Sequence, residues 1–405
     1  MGEPCGSSQL RHLATPEEPP WSTRRVPVQD DDPRDAFNRD RDRIVHSAAF
    51  HRLQHKTQVY LIHEGDFYRT RLTHTLEVAQ ISRTMARLLG LSEPLAEAIA
   101  LAHDLGHSPF GHAGEQALDQ CLKKAGDPAG WDSNRHSLTV VDEMEFVYPD
   151  APGLNLTYAT RQGIARHKTP FDRPVLDFDR YPQPIAEAQV VNLADVIAYA
   201  GHDVQDALEV GLLKPETMLD EHALRLWREC WDRAVKEFET HGTAGGLSHA
   251  ERNRLLARRA RRHLIDKTVK EAVAHTRELS MEYGIHSHED VLYCRTPVVM
   301  LPGETGRAVE EMVRYLFEHV YSSPFVERQN EKERWVLTRI FERLYENNRL
   351  LPEGVQRRVA QAEPGQRARE IACYLASLTD RGALDLYAEL FDPRDRVLGH
   401  HRAWE

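Results

Sequence analysis

From Ala36 onward the apolar residues recur mainly at spacings of three and four, the pattern of helices buried along one face. Val78, Ile81, Met85, Leu88 and Leu89 follow His74 in this register and predict one helix. Residues 91–105 form a second run, opened by Ser92 with Pro94 in the first turn, and Gly106 is expected to close it. A third helix should begin near Ala113, and a long one should cover 187–208, where Val190, Val191, Ala194, Ile197 and Ala198 form the apolar set. Residues 221–239, 250–283, 308–321, 332–347 and 366–377 repeat the same periodicity. Strand-like patches are confined to 57–62 and 297–301. The expected fold is therefore all-α, with at most a minor β element.

Residues 1–35 mix Pro16, Pro19, Pro20, Pro27 and Pro33 with charges and have little periodicity, so a flexible or only loosely docked N-terminal arm is expected there. The stretches 125–133 and 169–184 are rich in Pro, Gly or Asp and read as loops of one mostly helical domain. No internal repeat interrupts the folded part.

The chain has 405 residues, with 52 basic against 63 acidic side chains and a net charge of −11. That balance argues against a protein that coats DNA or an anionic membrane. No run of about 18 apolar residues occurs, and the opening MGEPCGSSQL lacks the build of a secretory leader. The scattered Cys5, Cys121, Cys230, Cys294 and Cys373 contain no C-x-x-C pair and suit a reducing cytoplasm. Against this ordinary background the 22 histidines stand out, because imidazole is both a common metal ligand and an acid or base near neutral pH.

His103 and Asp104 end a buried apolar run just before Gly106, where both side chains can turn toward one ion. His74 falls in the first turn of the preceding helix. Asp195 lies among Val191, Ala194 and Ala198, where an uncompensated carboxylate is costly. Two imidazoles and two carboxylates neutralise a divalent cation such as Mn, Mg, Fe, Ni or Zn and leave positions open for water and a phosphate oxygen. Taken singly, His74 also fits as a core histidine, and Asp195 as a buried ion pair or cap.

The order His74, His103-Asp104, Asp195 resembles the HD-domain phosphohydrolase superfamily, and the surrounding text is similar to its deoxynucleoside triphosphate triphosphohydrolase branch, the dGTPase-like proteins. The matching segments are RDRDRIVHSAAFHRLQHKTQVY (39–60), RTRLTHTLEVAQISR (69–83), AHDLGHSPFGHAGEQAL (102–118), NRHSLTVVDEMEFVYPDAPGLNLTY (134–158), VVNLADVIAYAGHDVQDAL (190–208) and LTDRGALDLYAELF (378–391). They run in family order through most of the chain. The resemblance implies an HD catalytic core over 36–215 with a helical part over 216–405 packed on it.

It also implies that His74, His103, Asp104 and Asp195 bind the metal, and that His107 and His112, with Glu115 beside them, are catalytic. His112 and Glu115 are three apart at a helix start, so the carboxylate can orient the imidazole and favour its protonated form. By the same resemblance Gln58 and Asp203 hold the sugar 3′-hydroxyl, Arg71 contacts phosphate, and Tyr199 packs under the deoxyribose. Asp195, Tyr199 and His202 share one helical face, and a ring against C2′ would exclude a ribose hydroxyl. The chain departs from the family pattern at His136, where Gln is usual, and at Cys373 and Gly382, where Asp and an aromatic are usual. These departures bear on base choice or subunit contacts.

A basic run, Arg252, Arg254, Arg258, Arg259, Arg261, Arg262, Lys267 and Lys270, occupies a predicted helix. It reads either as a solvated face or, by the resemblance, as a site for an activating nucleotide or single-stranded DNA. The expected activity is metal-dependent hydrolysis of a deoxynucleoside triphosphate to deoxynucleoside and tripolyphosphate, by a homo-oligomer without a membrane partner. The competing readings are an HD phosphodiesterase or nucleotidase and a nucleotide-sensing or DNA-binding regulator without turnover.

Overall fold

The computed structural model describes residues 10–28, 32–58, 69–168, 178, 180–241, 247–363 and 365–394. Helices follow the apolar periodicity throughout: α1 (Ala36–Val45), α2 (Ala48–Arg52), α3 (Arg71–Leu89), α4 (Glu93–Ala102), α5 (Gly111–Lys124), α6 (Ser133–Thr139), α7 (Tyr158–Ala165), α8 (Ala186–Glu209) and α9 (Pro215–Asp220). They continue with α10 (Arg225–His241), α11 (His249–Glu282), α12 (His288–Tyr293), α13 (Gly303–Leu316), α14 (Pro324–Glu346), α15 (Glu353–Gln361), α16 (Arg367–Ser377) and α17 (Asp380–Phe391). Two π-helical turns, Val140–Met144 and Phe317–Tyr321, extend α6 and α13. Among the described residues the β pairings are isolated bridges, including Thr57 with Thr70, so the all-α expectation holds.

Neither strand-like patch forms a ladder among the described residues. Residues 59–62 of the first lie outside them. In the second, Val298 and Val299 are buried, and their amides donate to Oε1 of Gln189 at 2.8 and 3.1 Å. The apolar character of 297–301 thus reflects burial of a coil whose backbone is satisfied by one side chain.

By contacts the chain divides into two compact units, each discontinuous in sequence. The first comprises the chain up to Arg41, Leu76–Ala100 and Thr157–Ser323; the second comprises Asp42–Thr75, Leu101–Leu156 and the chain from Pro324 on.

In the first unit α8 packs on α11, and α10 on α11. A Cβ at Gly201 would stand 3.2 Å from Cγ of Arg261 and 3.3 Å from a methyl of Leu264, so a side chain here would crowd α11. The N-terminal arm is docked over residues 10–28, contrary to the flexible or loosely docked arm expected for 1–35. Leu10, Leu13 and Trp21 are buried, and the Leu10 amide donates to the Leu89 carbonyl at 2.7 Å. Thr15 donates through its hydroxyl (2.6 Å) and amide (3.1 Å) to buried Glu187. Apolar anchors spaced too irregularly to show a period hold this proline-rich segment down. On α11, Arg258 faces Glu209, Arg259 faces Glu237, Arg261 faces Glu77, Lys267 faces Glu229 and Lys270 faces Asp266.

In the second unit α5 is buried against α14 and α16, with Leu118 and Leu122 joining Leu337, Ile340, Phe341, Ile371 and Leu375 in one cluster. Each such side chain contributes about 1.5–3 kcal/mol by leaving water. Glycines shape the approach to α5. Gly106 is not left-handed and does not cap the preceding helix as its sequence position suggests. Instead a Cβ there would collide with the Ser137 amide at 2.1 Å and the Ser133 carbonyl at 2.3 Å, so the absent side chain lets α6 pack on this turn. Phe110, the N-cap of α5, is left-handed at φ 64° and ψ 22°, and Gly111 follows at φ 53°. A non-glycine residue in that region costs roughly 1–2 kcal/mol, and the surroundings hold it there: the ring is buried and the amide donates to Oδ1 of Asp380 at 2.9 Å.

Candidate active site

The second unit gathers His74, from the first turn of α3, with His103 and Asp104, from the turn that follows α4. All three are buried, and one ligand atom from each lies within 4.8 Å of the others. The rings of His74 and His103 sit edge to face at 5.6 Å between centroids. Two imidazoles and a carboxylate form a donor set suited, with the imidazoles deprotonated, to a divalent cation, so these residues fit the expected metal. Arg71 opens α3 and places Nη1 3.1 Å from Oδ2 of Asp104. Burial alone would raise the Asp104 pKa, but His103, Arg71 and His107 hold it well below the usual carboxylate range.

His107 lies between two carboxylates. Its Nε2 is 2.9 Å from Oδ1 of Asp104, and its Nδ1 meets Oε1 of Glu115. Burial most strongly opposes its charged form, yet Glu115 and Asp104 bring its pKa up to about 9. Burial likewise acts against ionised Glu115, but His107 and His112 hold its carboxyl well below the ordinary value. Ser133 adds a hydrogen bond to Glu115 at 2.6 Å. His112 pairs with the other Glu115 oxygen at 3.2 Å, while most of its side chain is exposed. Glu115 therefore bridges a buried imidazole and a solvent-facing one.

Gln58 stands beside this group: its amide donates to the Arg69 carbonyl at 3.4 Å, and its buried Oε1 lacks a hydrogen-bond partner among the described residues. Gly111 is left-handed beside Gln58 and Arg71, where a Cβ would make only ordinary contacts, 3.4 Å from the Gln58 carbonyl oxygen and 3.6 Å from Arg71 Nη2, so backbone conformation and not space favours glycine here. Gly114 cannot carry a side chain at all, because its Cβ would overlap the Pro109 carbonyl at 1.9 Å.

The remaining sequence-derived residues belong to the first unit and sit on α8. Asp195 lies 3.4 Å from Nε2 of His167, a buried histidine that sequence reasoning passed over because it stands alone outside any periodic run. Tyr199 packs against His202 and Tyr321, each at 6.0 Å between ring centroids. Burial, then the Asp203 carboxylate, keeps its phenol protonated. Asp203 is fully buried, 2.5 Å from Nδ1 of His202, and accepts the Tyr321 hydroxyl. His202, Asp203 and Asp206 also form a grouping that could hold a cation.

Two departures from the family pattern face each other in the second unit. Nδ1 of His136 is 3.7 Å from Sγ of Cys373. Burial, helped by the cations Lys56 and Arg369, lowers the His136 pKa to about 3, and burial pushes the Cys373 thiol up to about 12. The pair is neutral at physiological pH. Gly382 sits in the first turn of α17, its amide bonded to the Thr379 hydroxyl at 3.0 Å.

Residues 71–200 match the HD domain family, and residues 299–389 match the phosphohydrolase-associated domain. The chain is similar to a deoxyguanosinetriphosphate triphosphohydrolase-like protein of Syntrophus aciditrophicus (strain SB), 43% identical over 375 residues that cover 92% of this chain and 91% of that one. Proteins of the same description from Geobacter sulfurreducens (40% identical, covering 92% of this chain and 93% of the relative) and Geobacter metallireducens (41%, covering 90% and 91%) are similarly close. No helix among the described residues is long and apolar enough to cross a membrane.

Proposed function

Because the chain belongs to the deoxyguanosinetriphosphate triphosphohydrolase-like family of HD-domain phosphohydrolases, we propose that it hydrolyses deoxynucleoside triphosphates to deoxynucleoside and tripolyphosphate. His74, His103 and Asp104 would hold a divalent cation, with Asp195 as the fourth ligand assigned by the family order. Such an ion supplies Lewis-acid polarisation and an activated water.

The observation that carries this reading is His107, clasped by Asp104 and Glu115 beside the buried His/Asp set. Held protonated near neutral pH, its imidazolium can neutralise charge developing at the α-phosphate under attack by water and donate a proton to the departing 5′-oxygen of the deoxynucleoside. Glu115 then links that imidazole to His112, whose exposure lets the proton be replaced from solvent. Arg71 would bind phosphate. Gln58 and Asp203 would hold the 3′-hydroxyl, and Tyr199 would carry the sugar face. A closed ring face beside C2′ favours deoxyribose over ribose.

The test is incubation with each of the four dNTPs, singly and mixed, with Mn or Mg, followed by product identification. Tripolyphosphate supports the reading. Orthophosphate would assign the site to a nucleotidase, dNMP with pyrophosphate to a phosphodiesterase, and binding without product to a nucleotide-sensing regulator. The proposal extends to a cytoplasmic homo-oligomer in which a dNTP also activates: light scattering gives the subunit number, and mixed dNTPs should then turn over faster than single ones. Single-stranded DNA as a further partner is tested by a salt-dependent binding titration.

A further inference from the structure

Two ionisable residues of the second unit, Lys56 and Asp380, are buried outside both the ligand set and the histidine relay, at 2% and 6% exposure. Lys56 Nζ donates to the His107 carbonyl at 2.5 Å and to the Ala376 carbonyl at 2.7 Å. Asp380 accepts the Thr57 amide on one oxygen at 2.7 Å and the Phe110 amide on the other at 2.9 Å. These four bonds stitch together three stretches of chain: 56–58, 107–110 and the junction of α16 with α17.

The first two stretches adjoin residues of the proposed chemistry, and the third anchors them. Gln58 follows Thr57. The Arg71 amide donates to the Lys56 carbonyl at 3.0 Å, next to the Thr57–Thr70 bridge. His107 itself supplies the carbonyl that Lys56 holds. Phe110, left-handed and bonded to Asp380, immediately precedes the helix that carries His112 and Glu115. Losing either group leaves buried backbone carbonyls or amides without a partner, which costs stability as well as direction. What the Lys56 amino group adds over an apolar side chain of similar volume is a fixed direction for two backbone carbonyls.

We propose that Lys56 and Asp380 are positioning residues, which lock the His107–Phe110 turn to the C-terminal helices and so set the aim of the His107 imidazole. The inference rests on the reading above, in which His107 acts in turnover.

The test compares Lys56→Met and Asp380→Asn with the wild-type full chain, measuring kcat, KM, bound metal by elemental analysis, and amide hydrogen exchange over 103–115. The expected result is a kcat lower by roughly 30-fold or more with KM within about threefold and metal content unchanged, and exchange over 107–112 faster by on the order of tenfold. Asp380→Glu, which keeps a carboxylate acceptor, should recover part of kcat. Thr15→Val, which breaks a buried hydrogen bond in the first unit, serves as the control: it lowers Tm but leaves kcat and the exchange of 107–112 unchanged. A lowered Tm with wild-type kcat in both clamp variants would reduce the clamp to a structural role, and metal loss in step with kcat would also overturn the proposal. Should Lys56→Met fail to fold, the isosteric Asp380→Asn decides alone. If the wild type hydrolyses no dNTP, the functional reading falls, while unchanged exchange over 107–112 in the variants would separately refute the clamp.

Discussion

Residues 103–115 and residues 252–270 are both dense in ionisable side chains, yet they handle charge in opposite ways. In the first stretch His103, Asp104 and His107 are buried, and each carboxylate is shared among several cationic groups. In the second, on α11, Arg258, Arg259, Lys267 and Lys270 sit at the surface, each facing one nearby carboxylate. The difference is burial. Surface pairs are screened by water and contribute little, whereas buried groups displace one another's pKa by units and so become able to hold an ion or move a proton.

The comparison breaks most easily at the ligand set. His103→Ala should remove bound divalent metal and reduce turnover by roughly 10³-fold or more, while circular dichroism stays helical. Full metal occupancy in that variant, measured by elemental analysis, would make the buried cluster a core feature. The next effect separates the two relay histidines. His107→Gln should lower kcat by about 10²-fold or more with metal retained, and His112→Ala by less, because His112 is mostly exposed. Equal losses would mean that the outer imidazole is as central as the inner one.

Glu333 gives an intermediate case, a buried carboxyl on α14 whose pKa is pushed up to about 7 by burial. A carboxyl with a raised folded-state pKa is favoured when protonated, so its penalty is absent below its unfolded value and grows as pH rises to about 7. Glu333→Gln should therefore stabilise the protein at pH 8 by on the order of 2 kcal/mol and have little effect near pH 4.5. Urea titrations at the two pH values would measure this, and a pH-independent difference would contradict it. The smallest effect belongs to α11: Arg259→Ala should shift Tm by roughly 2 °C or less and leave turnover of single dNTPs unchanged. A large loss of turnover would give the basic helix a role in the chemistry.

The helices were legible because periodicity reports burial on one face: α8 and α11 begin and end within a residue of the expected 187–208 and 250–283, and α5 begins two residues before Ala113. The His112–Glu115 pair was legible too, since a spacing of three on a helix guarantees proximity. The His107–Glu115 contact was not, because it spans a turn whose path depends on Phe110 and Gly111 being left-handed. His167 gave no signal for a similar reason: its neighbour Asp195 is 28 residues away, and only tertiary structure joins them. His136 and Cys373 could be singled out as departures, but nothing local to either segment says that they meet. The arm misled because proline and charge suggest disorder while a few well-placed apolar residues suffice to dock it.

The interleaving of the two units has a consequence for how the protein is made. The unit that carries His74, His103 and His107 also draws on the chain from Pro324 onward, and α5 is covered by α14 and α16. During synthesis at about 5–20 residues per second, those early helices leave the ribosome long before their cover exists. A nascent chain arrested after residue 323 should therefore expose the apolar face of α5 and bind a hydrophobic dye, and lose that binding once α16 has emerged. The unit that holds the buried His74, His103 and Asp104 set is completed last, although that set is translated first.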